Sequence, residues 1–164
     1  MTATPSTITT IPAQRLNAAL AVLRVIVGII FMAHGGQKLF VYGFAGVSGA
    51  FAQMGIPMAG LMGPLVALVE FFGGAALVVG LLTRLASLGL ASTMLGAIFF
   101  VHLKGGFFLP NGIEFVLALL GASVALALTG AGAYSLDGVL AARRQPAVGG
   151  GAAQPVRDAA RRVA

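Results

Sequence analysis

Four stretches of this chain, residues 17–40, 58–82, 85–103 and 113–133, run almost without charge for long enough to cross a bilayer. About 20 predominantly apolar residues span a hydrocarbon core, where backbone amides must be satisfied within a helix or around a closed barrel. The alternating strand pattern that a barrel requires is absent from these runs. The chain is therefore expected to be all-α: a polytopic membrane protein whose four spans form one four-helix bundle. Composition agrees, since charged residues make up only 9% of the 164, against about 25% in soluble domains.

The formal charge of +6 invites a nucleic-acid partner, but its distribution reads as topology. Arg143, Arg144, Arg157, Arg161 and Arg162 lie in the C-terminal tail, Arg15 precedes the first span and Arg84 separates the second from the third. The positive-inside bias makes this side cytoplasmic, with both termini on it and with Lys38 and Lys104 facing outward. No nucleic-acid partner is expected. Arg24 interrupts the first apolar run early, and the run continues past signal-peptide length, so a cleaved leader is disfavoured. The expected organisation is a mobile N-terminal tail over residues 1–16, the transmembrane domain over 17–140 and a disordered basic tail over 141–164.

The second and third spans meet at Thr83 and Arg84, which predicts a tight antiparallel hairpin. Residues 42–57 are too many for a tight turn, and 47–54 could form a short helix stopped by Gly55, lying on the outer surface as a lid. Ser135 is placed to cap a short helix through Leu140. Asp137 falls in its first turn, where it favours the helix dipole and could also pair with Arg84.

Six ionisable side chains sit inside or at the rims of the apolar runs: Arg24, His34, Lys38, Glu70, His102 and Glu114. A charge near the bilayer centre costs roughly 2.5–3.5 kcal/mol on insertion scales, so such groups should be paired or used. Arg24, Gly28, Phe31, Gly35 and Lys38 share one helical face, and His34 borders it. Glu70, Gly74, Leu77, Leu81 and Arg84 repeat the pattern. Glu70, near mid-membrane, should be protonated or paired with a cation such as Arg24. Glu114, Ala118, Gly121 and Ala125 form a small-residue stripe on the fourth span. With alternating span directions, His34, Lys38, His102, Lys104 and Glu114 converge on one mouth, which implies an interior polar cavity floored by Glu70 and Arg24. The plainer alternatives are that Lys38 and His34 snorkel to the interface and that Arg24 and Glu70 form a structural ion pair.

The chain has no cysteine, which rules out thiol relay, disulfides and cysteine-ligated iron–sulfur clusters through its own residues. Two histidines with one carboxylate make a poor metal or haem site, so no metal is expected. No phosphate loop, dinucleotide fingerprint or nucleophile elbow is present.

The runs LRVIVGIIFMAHGGQKLF (residues 23–40), MGIP (54–57), VEFFGGAALVVGLLTR (69–84), VHLKGGFF (101–108), NGIEF (111–115) and GAGAYSLD (130–137) together resemble the DoxX family of small bacterial inner-membrane proteins. Each piece alone is weak, whereas the ordered set of Arg24, His34, Lys38, Glu70, Arg84, His102, Glu114 and the SLD ending is fairly specific. Ala131 and Ala133 stand around Gly132 where a proline is often seen, which bears on how the fourth span ends. The resemblance implies a multi-pass inner-membrane bundle with an oxidoreductase role, after the small subunit associated with a thiosulfate:quinone oxidoreductase. It also implies links to oxidative or thiol stress and to resistance against quinone-like compounds.

The leading expectation is a membrane oxidoreductase subunit that binds a quinone-like redox lipid in the intramembrane polar cavity and works with a redox-protein partner. Quinone reduction takes two electrons and two protons. His34, His102, Glu70 and Glu114 can deliver protons, and Lys38 or Arg24 can stabilise developing negative charge. The chain shows no intrinsic cofactor, so the electrons would come through the partner. The alternative is a non-enzymatic membrane protein, a small-molecule binder, transporter or assembly subunit, whose buried charges only hold the helices together.

Overall fold

The computed structural model describes residues 11–144, and no strand occurs among them. Helix α1 (Ala13–Gly36) continues through a π-helical segment (Gln37–Tyr42) into α2 (Gly43–Gln53). Then follow α3 (Ala59–Val79), α4 (Thr83–Ala97), a second π-helical segment (Ile98–His102), a 3-10 turn (Leu103–Gly105), α5 (Glu114–Thr129) and α6 (Leu136–Arg144). Three units, Ala13–Gln53, Ala59–Val79 and Thr83–Gly105, are long and apolar enough to cross a membrane. Helix α5 has 16 residues, about 24 Å at 1.5 Å per residue, short of a roughly 30 Å hydrocarbon core. Exposed Phe107, Phe108 and Leu109 ahead of it extend the apolar surface on that side.

The tightest packing joins α1 to α3, and glycine is the reason. A Cβ on Gly28 would lie 2.7 Å from the Gly74 carbonyl oxygen, and one on Gly74 would lie 2.6 Å from that of Gly28. Gly35 likewise meets the backbone of Phe71 and Glu70. Small residues let helix backbones approach where lipid supplies no hydrophobic drive for association. The expected first-span face is the buried one: Arg24, Gly28, Phe31 and Gly35 all point inward.

Gly43, at φ 65°, turns the chain out of the first span. Helix α2 then lies along α3, with Val47 buried and the Ser48 backbone close against Gly63. The expected short helix is thus present, packed on a neighbouring span. A shared core of Val27, Phe31, Leu77, Leu90, Met94, Ile98, Val116, Leu119 and Leu126 knits the four spans. The outward faces carry Val22, Ile26, Ile29, Leu65, Phe72, Leu88 and Leu128, as lipid-facing surfaces should.

Three expectations need correction. The turn between α3 and α4 is 80–82, not Thr83–Arg84, because Gly80 and Leu82 take left-handed conformations (φ 72° and 48°) and α4 already starts at Thr83. Leu81 and Arg84 are therefore exposed and do not extend the buried Glu70–Gly74–Leu77 face. On α5, Ala118, Gly121 and Ala125 face outward, while Val116, Leu119, Ser123 and Leu126 face the bundle. Helix α1 begins at Ala13 and α6 reaches Arg144; the remainder of the two expected tails lies outside the described residues.

Candidate functional site

At the end of the bundle that carries Arg84, the charges are bound to backbone. Arg24, 5% exposed, donates from Nη1 to the carbonyls of Leu77 (2.8 Å) and Val78 (2.6 Å), and from Nη2 to the carbonyl of Tyr134. The last carbonyls of a helix have no partner within it, and in a membrane they cannot turn to water. Arg24 thus closes the C-terminus of α3 and fastens the segment after α5 to it. Gly80 makes room, since a Cβ there would stand 2.8 Å from the guanidinium. Asn17 adds a second tie, its Oδ1 accepting the Ala133 amide at 3.0 Å.

Asp137 performs the mirror-image task. Its carboxylate accepts the amides of Leu82 (2.8 Å) and Thr83 (2.9 Å) at the start of α4, and its own amide donates to Gly80. Desolvation pushes its carboxyl up, but the Thr83 and Leu82 amides and the Arg24 charge prevail and hold it below its ordinary value. Ser135 caps α6 as expected, its Oγ accepting the Gly138 amide at 3.0 Å. The expected partner of Asp137, Arg84, is exposed and forms no ion pair with it.

The opposite end differs. Lys38 reaches across from the first π-helical segment to Glu70 on α3, forming the one ion pair among the described residues. Glu70 is 3% exposed, whereas the Lys38 side chain is 23% exposed. Arg24 is therefore not the partner of Glu70. The antiparallel register that sets Gly28 on Gly74 puts Arg24 beside Leu77 and Val78, and brings Lys38, one turn past Gly35, to Glu70.

The expected interior cavity floored by Glu70 and Arg24 is not formed, because backbone contact at Gly28 and Gly35 closes α1 onto α3. In its place, a recess of about 290 Å³ lined by Ala33, His34 and Gln37 opens on the outer face of α1. His34 and Gln37 are exposed and continue the stripe of Val22, Ile26 and Ile29 that faces lipid. The His34 ring lies 6.2 Å from that of Phe115 on α5, tilted by 50°, within the range of aromatic contact.

His102 and Glu114, expected at the mouth, instead build the connection between α4 and α5. His102 Nδ1 lies 3.1 Å from the Asn111 carbonyl, which only accepts, so Nδ1 carries the proton. Glu114 accepts the Leu109 amide at 2.7 Å. Both are partly exposed. No group of three or more metal-ligating side chains gathers among the described residues.

Gln37 escaped the sequence reading because it is uncharged. The signal was a polar residue at the lipid-facing stripe, three positions after His34 and next to Lys38. Lys38 and His102 each lie in a π-helical segment, a local geometry that recurs at functional positions.

A family model described as DoxX matches residues 19–103. The chain is 40% identical over 115 residues to "Putative oxidoreductase CatD" of Bacillus subtilis, covering 70% of this chain and 81% of the relative. It is 36% identical over 129 residues to inner membrane protein YqjF of Escherichia coli, covering 76% and 93%. It is 33% identical over 132 residues to the uncharacterized membrane protein Rv3486 of Mycobacterium tuberculosis, covering 74% and 80%. No solved structure matches.

Proposed function

Since the chain belongs to the DoxX family of membrane proteins, we propose that it is an oxidoreductase subunit holding a quinone-like redox lipid at the His34–Gln37 recess. The observation that carries this reading is that two lipid-facing polar side chains neighbour, along α1 and the segment after it, an ion pair whose carboxylate is buried. His34 and Gln37 offer an imidazole and a carboxamide toward the bilayer, and the next residue, Lys38, holds the buried carboxylate of Glu70. The recess is an open depression lined by three residues, so a ring-sized headgroup would rest against His34 and Gln37 from the lipid side, with an apolar tail left in lipid along α1.

Quinone-type lipids supply two-electron, two-proton chemistry when bound. The chain's part is to orient and to hold protons. An imidazole N–H and the Gln37 amide are donors matched to carbonyl oxygens, and the imidazole can also release or take a proton. The Lys38 ammonium stabilises negative charge developing beside it, and Glu70 keeps that cation in place within the apolar bundle. Electrons reach the site through a partner subunit. "Oxidoreductase" in the name of the Bacillus relative supports the same reading.

The test is lipid extraction and native mass spectrometry of the full chain purified in detergent. Bound quinone is expected, lost in His34→Ala and Gln37→Ala while both variants keep their helical content. Ordinary phospholipid alone would end the proposal. One observation favours the second reading, a non-enzymatic binder or assembly subunit: Lys38 and Glu70 satisfy each other, as a structural pair would. Glu70→Gln separates the two, since a positioned charge is lost while shape is kept. Full quinone-linked activity in that variant favours the structural account.

A further inference from the structure

The Arg84 end of the molecule combines an unmatched charge with an unmatched apolar face. Arg15, Arg84, Arg143 and Arg144 are exposed there, and none forms an ion pair among the described residues. The single described carboxylate at this end, Asp137, is committed to the amides of Leu82 and Thr83. On α6, Leu136, Val139 and Leu140 follow helical spacing onto one face, and all three are exposed, at 46%, 46% and 42%. Arg143 and Arg144 close the last turn of the same helix.

The position of α6 is fixed. The bond from the Asp137 amide to Gly80 and the Asp137 cap on α4 pin its first turn to the α3–α4 turn, where a span leaves the bilayer. Around that turn Leu16, Leu82 and Leu85 are also exposed, at 50%, 61% and 67%. The apolar face of α6 therefore lies at the level of a lipid-facing rim. A short helix with an apolar face and terminal arginines, held at that level, matches the physics of an interfacial helix.

The geometry points to α6 and its neighbouring arginines as a docking surface for anionic phospholipid headgroups. Leu136, Val139 and Leu140 enter the acyl boundary, and Arg143, Arg144 and Arg84 take the phosphates. Lipid is the occupant because charge complementarity and apolar continuity coincide. The apolar face adjoins the exposed apolar rim of the spans, and the cations have no counter-ion among the described residues. This surface is at the opposite end from His34, and its standing does not depend on the redox reading.

The test uses the full chain in nanodiscs of phosphatidylcholine doped with phosphatidylglycerol, scoring retained lipid by native mass spectrometry. Retention of phosphatidylglycerol over phosphatidylcholine is expected, weakening with salt. It should fall about fivefold per arginine removed, hence on the order of twentyfold in Arg143→Gln/Arg144→Gln, with helical content unchanged. As a second variant, Val139→Gln/Leu140→Gln should lower retention of both lipids. Equal retention of the two lipids by the unaltered chain overturns the proposal, as does a preference untouched by the arginine change. Full competition by millimolar inorganic phosphate also overturns it, since the site would then bind a free anion.

Discussion

The two ends of the bundle handle buried charge in opposite ways. Near Arg84, Arg24 and Asp137 are bound to main chain: three carbonyls take the two Nη groups of the guanidinium, its buried Nε having no partner among the described residues, and two amides give to the carboxylate. Near His34, Lys38 and Glu70 bind each other, and the neighbouring His34 and Gln37 side chains are left facing outward. A charge spent on backbone fixes where chain segments lie and has little left to offer a ligand. A charge held by another side chain leaves adjacent donors free. The first end therefore reads as a latch and the second as a site, although both rest on the same glycine-packed helix pair.

The sharpest way to break that contrast is Arg24→Met. It leaves the Val78 and Tyr134 carbonyls without the donor Arg24 supplies, while Leu77 keeps the Gly80 amide, at about 1–3 kcal/mol for each group left unsatisfied. A loss of roughly 3 kcal/mol or more is expected, read as a fall in the thermal midpoint of detergent-solubilised protein followed by circular dichroism. His34→Ala, at an exposed position, should stay within about 0.5 kcal/mol. Similar losses from the two changes would show that the ends do not differ in kind.

A smaller effect is expected from Gly74→Ala. Its Cβ would stand 2.6 Å from the Gly28 carbonyl oxygen and 2.7 Å from the Met32 amide nitrogen. Backbone atoms cannot rotate aside, so α1 and α3 must separate, at about 1–3 kcal/mol. Because Arg24 and Lys38 lie on either side of this crossing, both ends should loosen together. Quinone retention that survives at wild-type level would show that the register set by glycine does not govern the site.

Much of this was legible in the sequence, and the chief misses concern which residues sit opposite one another. Apolar length alone located four helices, and the spacing of Arg24, Gly28, Phe31 and Gly35 identified the face that packs on α3. Pairing required knowing which residues sit opposite one another, and helical period carries no such information. Arg24 was matched to Glu70 on depth, while the actual register delivers Lys38. The interior cavity failed for the same reason: the opposing backbone packs directly onto Gly28, Gly35 and Gly74 and leaves no space between α1 and α3. His102 and Glu114 were singled out because they are ionisable, and the structure places them at the connection between α4 and α5. Their hydrogen bonds to Asn111 and Leu109 depend on a loop fold that no periodicity reports.

At the latch, Asp137→Asn should cost about 1 kcal/mol, the usual scale of a helix cap, because the carboxamide offers one acceptor to two amides. The pH dependence has a definite sign. The folded carboxyl titrates below its ordinary value, so its contribution is full above the unfolded value of about 3.9. It is lost as pH falls through the lowered folded value. Thermal midpoints of the unaltered protein and the Asn variant should therefore converge below about pH 4. A gap that stays constant on acidification would remove Asp137 from the latch.

The smallest expected change in stability comes from removing both members of the ion pair at the other end. Replacing a buried pair with apolar side chains of similar volume is often neutral or stabilising by about 1–4 kcal/mol, because desolvation offsets the attraction. Lys38→Met/Glu70→Leu should thus melt at or above the wild-type temperature, whereas Glu70→Leu alone strands Lys38 and should melt lower. If the pair adds nothing to stability, the proposed redox role gives a reason for its presence, since Lys38 follows Gln37 directly and lies one helical turn after His34. The double variant should accordingly lose bound quinone while keeping its fold. If it melts several kcal/mol lower and the surviving protein still binds quinone, the pair belongs with Arg24 as a structural tie, and the contrast between the two ends disappears.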